Sequence, residues 1–256
     1  MAFNNSNNFG KPQKQGAHGV ARVISKRGYC SRSQAEKLVR EGHVILRGKP
    51  VRDPESPAYE NDEILVDGTP VTASEFVYFA MNKPRGIVTT ASDEKGRKTV
   101  MDLFREEYAK MFPGKPMSHI APVGRLDAAS EGLLLFTNDT AWADRVLTDA
   151  SRKKIYRVQV AGKPSDAELK QMEKGFNVAP RVFGEKEEFM HAERAIVHSE
   201  GEKNCWLEIT LSEGKNREIR RMLAHLGYEV MRLMRIQFDK YTLGNLKSGE
   251  IRKINC

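Results

Sequence analysis

The chain has 256 residues, enough for one medium domain with a small companion, each able to bury a core. No apolar run is long enough to cross a bilayer, and the opening Met1-Ala2-Phe3-Asn4-Asn5 lacks the layout of a secretion signal, so the chain is expected in the cytoplasm without a membrane partner. Cys30, Cys205 and Cys256 stand far apart with no C-x-x-C spacing, which excludes a disulfide framework and a zinc site.

The net charge of +8 is unevenly placed. Between Lys11 and Arg52 eleven Lys and Arg face only two acids, Glu36 and Glu41, whereas the remaining residues carry 31 basic and 32 acidic side chains. Such a patch releases counterions on meeting a polyanion, so RNA, DNA or an anionic surface would each bind it.

Residues 1–16, rich in Asn, Gln, Gly and Lys, have almost nothing to bury and read as a disordered arm. A small α/β domain is expected over 17–66. Val20, Val23 and Ile24 precede Gly28, and the capping spacings Ser31 to Gln34 and Ser33 to Glu36 then start a second helix. That helix turns Ala35, Leu38 and Val39 inward, leaves Arg32, Lys37 and Arg40 outside, and ends at Gly42. Strands are expected over 43–46 and 63–66, with a turn at 47–50. The stretches Gly28-Tyr29-Cys30-Ser31-Arg32-Ser33-Gln34-Ala35-Glu36 and Glu41-Gly42-His43-Val44 resemble the S4 RNA-binding domain. That resemblance implies a grip on structured RNA through backbone and shape, for which Arg22, Lys26, Arg27, Arg32, Lys37 and Arg40 are the candidate contacts. Residues 67–75 read as a polar linker.

From Phe76 to Cys256 the pattern is that of a larger domain, with strands over 76–81, 132–136, 155–160, 206–211 and 229–233. Helices fall irregularly between them, at 100–107, 141–147, 166–174 and 217–226. Consecutive strands with scattered helices predict an α+β fold around a mixed, largely antiparallel sheet with flanking helices.

Gly124-Arg125-Leu126-Asp127 precedes the apolar run Leu133 to Phe136, which places Asp127 on a loop at the entrance of a buried strand. A carboxylate there can serve as nucleophile or proton acceptor, and an arginine partner keeps it ionised. On the helix near 217–226, Ile219, Met222, Leu223 and Leu226 mark the core side, while Arg217, Arg220 and Arg221 gather elsewhere, suited to a phosphate or a carboxylate. His119 lacks a nucleophile partner and is assigned a structural place; no histidine spacing suggests a metal, and no phosphate-binding or dinucleotide fingerprint suggests a cofactor.

Gly-Arg-Leu-Asp followed by Ser130-x-Gly132-Leu133-Leu134-Leu135-x-Thr137-Asn138-Asp139 resembles the signature loop of pseudouridine synthases, in the branch that modifies ribosomal RNA. Lys154-Ile155-Tyr156 and Glu213-Gly214-Lys215-Asn216-Arg217-Glu218-Ile219-Arg220-Arg221 resemble two later motifs of that family, in the same order. The resemblance implies a pseudouridine synthase fold behind an S4-type domain, no cofactor or metal, and ribosomal RNA or a pre-ribosomal particle as partner of a monomeric enzyme. It assigns Asp127 as the catalytic residue, Arg220 as its charge partner, Tyr156 as the stacking platform for the base and Arg125 as the residue that orients the loop. Met81 to Val88 resembles the strand and turn that open the catalytic domain, so Lys83 and Arg85, with Arg217 and Arg221, are further candidate RNA contacts. Thr140 departs from the glycine common after Asn-Asp, and Asn216-Arg217-Glu218 in place of a His-Gln pair resembles enzymes acting on the large subunit. Ribose attack and proton abstraction by Asp127 both remain open, and a catalytically silent RNA-binding assembly factor is the alternative reading.

Overall fold

Residues 16–90, 93, 96–180 and 186–256 are described in the computed structural model, whose chain divides between Glu75 and Phe76 into two units. All but the last residue of the expected arm, 1–16, lies outside the described residues.

The first unit begins with β1 (His18–Gly19), α1 (Val20–Lys26) and α2 (Arg32–Glu41). Of the two capping spacings the first is used: the Ser31 hydroxyl accepts from the Gln34 amide and the Gln34 side chain accepts from the Ser31 amide. Gly42, at φ 89°, closes the helix in the left-handed conformation. Then come β2 (Val44–Leu46), β3 (Lys49–Val51), β4 (Pro57–Ala58), β5 (Ile64–Val66) and β6 (Thr69–Pro70). The sheet order is β3-β2-β5-β6, with β1 paired to β4. Val20, Val23, Ile24, Ala35 and Val39 from the helices meet Val44, Leu46, Ile64 and Val66 in one core. The reversal is tighter than expected, at Arg47 and Gly48, so Lys49 and Pro50 are already in a strand.

Two sequence expectations are corrected here. Residues 67–75 are not simply a linker: β6 pairs with β5, Val71 is buried, and the Ser74 amide donates to Arg27 O. The basic excess also shrinks to +2 over the unit as a whole, Met1–Glu75, because Asp53, Glu55, Glu60, Asp62, Glu63, Asp67 and Glu75 belong to it. Residues 16–75 hold nine Lys and Arg and nine Asp and Glu, whereas 76–256 hold 31 against 25. Lys26 pairs with Glu60 at 2.9 Å, Arg32 with Glu36 and Glu55 at 3.1 Å, Arg40 with Glu36 at 3.5 Å and Lys37 with Glu41 at 3.8 Å. Arg27 is a clamp within this unit, donating to the carbonyls of Val71, Glu60 and Asp62. Of the six candidate contacts only Arg22 is exposed without a partner among the described residues.

The second unit contains β7 (Tyr78–Lys83), α3 (Val100–Met111), β8 (Ala121–Val123), β9 (Glu131–Thr137), α4 (Thr140–Thr148), β10 (Lys154–Ala161) and α5 (Asp166–Lys174). It continues with β11 (Phe176–Val178), β12 (Glu188–Met190), β13 (Arg194–Glu200), β14 (Asn204–Leu211), α6 (Glu218–His225), β15 (Val230–Phe238), β16 (Tyr241–Thr242) and β17 (Ile251–Lys253). The main sheet runs β13-β14-β10-β15-β9-β7-β17, with β16 added to β15 and β8 to β9. Strand β9 is apolar from Gly132 to Phe136 because both of its faces are covered. Leu134 and Phe136 face the larger core with Phe79, Phe104 and helix α6, while Leu133 and Leu135 face a second core with Trp142, Val146 and Phe238.

Every ladder of this sheet is antiparallel except β9 with β15, a parallel pairing of only two registered positions, Glu131 with Met234 and Gly132 with Arg235. Gly132 sits at φ 101°, and a Cβ there would lie 2.3 Å from Arg235 O and 2.8 Å from its amide nitrogen. No side chain could rotate to relieve such a clash with backbone. Gly132→Ala is therefore expected to destabilise the protein by roughly 3 kcal/mol, read as a lowered urea midpoint.

Lys83 ends β7 fully buried, its Nζ donating to Ser130 O at 2.8 Å, Pro84 O at 3.0 Å and Asp127 O at 3.1 Å. The expectation that it contacts RNA is thus corrected: all three ammonium protons are used on main-chain carbonyls, two of them in the loop that carries Asp127. Burial pushes its pKa down to about 8, against the opposing pull of Asp127 and Glu131. A folded-state pKa below the unfolded value means that the unfolded chain binds more protons between about 8 and 10.5, so this lysine's contribution to stability rises over that range. Lys83→Met leaves the carbonyls of Ser130 and Pro84 without this donor and is expected to cost about 3 kcal/mol, with the gap from the native protein widening between pH 8 and 10 in denaturant titrations.

Candidate active site

The loop before β9 is held by backbone and buried side chains on both sides of Asp127. Thr89 Oγ1 donates to Leu126 O at 2.7 Å and accepts from the Leu126 amide at 3.3 Å. The Gly86 amide donates to Ala128 O at 2.6 Å, and the Ser130 amide turns back onto Asp127 O at 3.0 Å. With Lys83 beneath, the main chain is fixed while the Asp127 carboxylate stays 41% exposed. It opens on a cavity of about 530 Å³, in the range of small-molecule sites.

The ion pair to Asp127 comes from Arg217, not Arg220. Arg217 Nη1 stands 3.6 Å from Asp127 Oδ2, and the residue sits at φ 52° immediately before α6, a left-handed conformation that a non-glycine residue adopts at a cost. Arg220 instead donates to Val230 O at 3.0 Å and to Ala129 O at 3.1 Å, bracing the loop two residues beyond the carboxylate. Burial and Arg217 push the Arg220 pKa down while Asp127 opposes them, so Arg220 feels the carboxylate without touching it. Sequence spacing alone could not separate the two arginines, because the turn at Arg217 reverses which of them points at the loop.

Other candidates divide similarly. Arg221 is bound to Glu188 at 2.6 Å and to Ala179 O at 3.2 Å, so it is a structural tie and not a free cation. Arg125 lines the cavity but is exposed, with no hydrogen bond or ion pair among the described residues. It does not orient the loop; Thr89, Lys83 and Arg220 do. Arg85 is likewise exposed and unpaired.

Tyr156 lies where the spacing places it, on β10 with its ring in the cavity wall, 8% exposed, paired across strands with Ile209 and Arg235. Residues not anticipated also line the cavity: Lys154, Glu218 and Arg235 are all buried. Lys154 sits inside the Lys-x-Tyr motif and could have been singled out for its spacing to Tyr156. Arg235 carried no signal beyond a basic residue in a strand. Glu218 Oε2 accepts from the Lys215 amide at 3.0 Å, and burial pushes its pKa up. The result is an exposed carboxylate with an arginine partner, a second, buried carboxylate, an aromatic ring and buried cations around a half-apolar pocket, an arrangement able to hold a flat heterocycle beside a nucleophile or base. Among the described residues no three His, Cys, Asp or Glu gather as metal ligands, and no helix is long and apolar enough to cross a membrane.

Residues 77–225 match the family described as RNA pseudouridylate synthase, and residues 20–64 match the S4 domain. An uncharacterized RNA pseudouridine synthase of Rickettsia conorii is 35% identical over 243 residues, covering 93% of this chain and 96% of the relative. The ribosomal large subunit pseudouridine synthase B of Bacillus subtilis is 33% identical over 237 residues, covering 92% and 91%. A crystal structure of a pseudouridylate synthase superposes with a TM-score of 0.60 at 27% identity, covering 93% and 96%. The chain is therefore a member of the RNA pseudouridylate synthase family that carries an S4 domain ahead of its synthase domain.

Proposed function

We propose that this enzyme isomerises uridine to pseudouridine in large-subunit ribosomal RNA in the cytoplasm, with Asp127 as its catalytic carboxylate. The observation that carries the assignment is the fixed, ion-paired Asp127 opening on the same cavity as Tyr156. The choice of large-subunit RNA rests on the name of the Bacillus subtilis relative together with Asn216-Arg217-Glu218.

In this reading a uridine leaves its stack, since the C1′–N1 bond is out of reach inside a helix. Its ring packs on Tyr156, and Asp127 either attacks C1′ or takes a ribose proton as the bond opens. Arg217, 3.6 Å away, faces the carboxylate and directs it toward the ring. Lys83, Thr89 and Arg220 are positioning residues that hold the Asp127 backbone. The exposed cations Arg85 and Arg125, in the second unit with its larger positive excess, are the residues suited to RNA phosphates.

Pseudouridine mapping of ribosomal RNA from cells lacking the gene tests this directly: one or a few adjacent sites are expected to vanish and to return with the native protein but not with Asp127→Asn. Return with Asp127→Asn would sink the catalytic assignment, and an unchanged map would favour a silent assembly factor. Arg217→Met is expected to lower kcat by roughly 10²-fold with a smaller effect on RNA affinity. Replacing Arg85 and Arg125 together by Ala is expected to weaken RNA binding and flatten its log–log salt slope by about 1 to 2, whereas Lys37→Ala, already paired with Glu41, leaves the slope unchanged.

A further inference from the structure

The inner end of the cavity is built from two neighbouring strands of the sheet. Arg235 on β15 stands directly across from Tyr156 on β10, and Lys154 on β10 directly across from Phe238 on β15. Both cations are buried, Arg235 to 4% and Lys154 to 7% exposure, and both line the cavity. The Phe238 ring lies beneath the two of them, its centroid 5.2 Å from Lys154 Nζ and 5.1 Å from Arg235 Cζ.

Their hydrogen bonding is incomplete. Lys154 Nζ donates to Ser212 O at 3.1 Å and Glu213 O at 3.3 Å, and its third proton has no partner among the described residues. Arg235 donates from Nε to Leu133 O at 2.8 Å, while its buried Nη2 has none. Neither makes an ion pair within 4 Å among the described residues. Lys83, by contrast, is equally buried and has every proton on a carbonyl. Unpaired buried donors are costly, and two cations side by side more so, unless an acceptor arrives to meet them. Burial and Arg235 together push the Lys154 pKa down, against the opposing pull of Glu218 and Glu213, neither of which comes within ion-pair distance.

The chemistry of the acceptor follows from the other walls. Leu126, Leu211, Ile219, Leu233, Tyr156 and Phe238 make much of the cavity apolar, which suits the faces of a flat ring and not a hydrated phosphate. We infer that Arg235 and Lys154 are further catalytic residues, which donate to the carbonyl oxygens of the extruded uracil and take up the negative charge it acquires when its glycosidic bond breaks. This rests on the function proposed above and names who receives the charge.

The electron count closes without a co-reactant. Heterolysis leaves the C1′–N1 pair on the uracil, spread over N1 and the two carbonyl oxygens, while C1′ is captured by an Asp127 oxygen or relieved by losing a ribose proton to it. After the ring turns, C5 donates a pair to C1′ as the Asp127–C1′ bond breaks or as Asp127 returns the ribose proton, and the C5 proton departs while N1 gains one. Donors fixed beforehand at the oxygens stabilise the intermediate anion more than the neutral base, which is the condition for accelerating a reaction. Cationic donors hinged on the sheet, and not on a loop, keep the same reach while the ring changes face.

The test compares the full-length native protein with Arg235→Met, Arg235→Lys and Lys154→Met in single turnovers on ribosomal RNA whose target uridine carries O2, O4, or sulfur in either place. Sulfur accepts hydrogen bonds more weakly, so each pairing of variant and atom forms a double-mutant cycle. Arg235→Met is expected to lower kcat by roughly 10²-fold at nearly unchanged KM, and the thio-to-oxo rate ratio at one carbonyl is expected to differ about tenfold between native and variant. A side chain that merely supports the fold would shift kcat or melting without changing that ratio. If Arg235→Met fails to fold, the ratio measured on Arg235→Lys and Lys154→Met decides. Native-like kcat in these variants, or identical thio-to-oxo ratios at both oxygens, overturns the inference while leaving the synthase reading intact. A native protein that forms no pseudouridine overturns that reading itself.

Discussion

Two antiparallel halves of the synthase sheet become one through the close approach of Gly132 to the Arg235 backbone, and everything in the cavity depends on that junction. β7, β9 and β17 lie on one side of it, and β10, β13, β14 and β15 on the other. Asp127 enters from the first half on the loop that feeds β9, whereas Tyr156, Lys154, Arg217 and Arg235 belong to the second. Only two registered residue pairs hold the junction, so the spacing between carboxylate and ring is set by a very small stretch of main chain. A hydrogen atom at position 132 is what lets the strands meet.

The cations around this junction are sorted by what they bond. Lys83 and Arg220 spend their donors on main-chain carbonyls and fix the shape of the Asp127 loop. Arg217 meets the carboxylate itself, from a strained backbone position that the start of α6 sustains. Arg85 and Arg125 are left to solvent, and Lys154 and Arg235 are buried with unused protons. Four roles are filled by one chemical class, and what separates them is burial and the number of acceptors within reach.

Much of this was legible in the sequence. Capping residues and the 3.6-residue apolar spacing located α2, α5 and α6 to within a residue or two, and the apolar run Leu133 to Phe136 announced a buried strand. Asp127 and Tyr156 were identifiable from their motifs, and they do share a cavity. What sequence reasoning missed depends on three-dimensional closure. Edge strands β13 and β17 are short or polar and gain their identity only from a neighbour, and the arginine facing Asp127 is chosen by a single left-handed residue. Lys83 looked like a surface cation because a buried lysine and an exposed one have the same one-letter context; only the three carbonyls distinguish them. The charge count failed for a related reason, since acids beyond Arg52 fold back beside the bases that precede it.

That compensation in the first unit has a kinetic meaning. Residues 16–75, with equal numbers of cations and carboxylates, generate little field beyond a Debye length of about 8 Å, so they neither draw polyanions from a distance nor cling to whichever one arrives. Selection by such a surface happens only at contact, through fit, and a mismatched RNA is released quickly. A domain built this way trades capture speed for a rapid, low-penalty search among the many wrong folds that RNA presents.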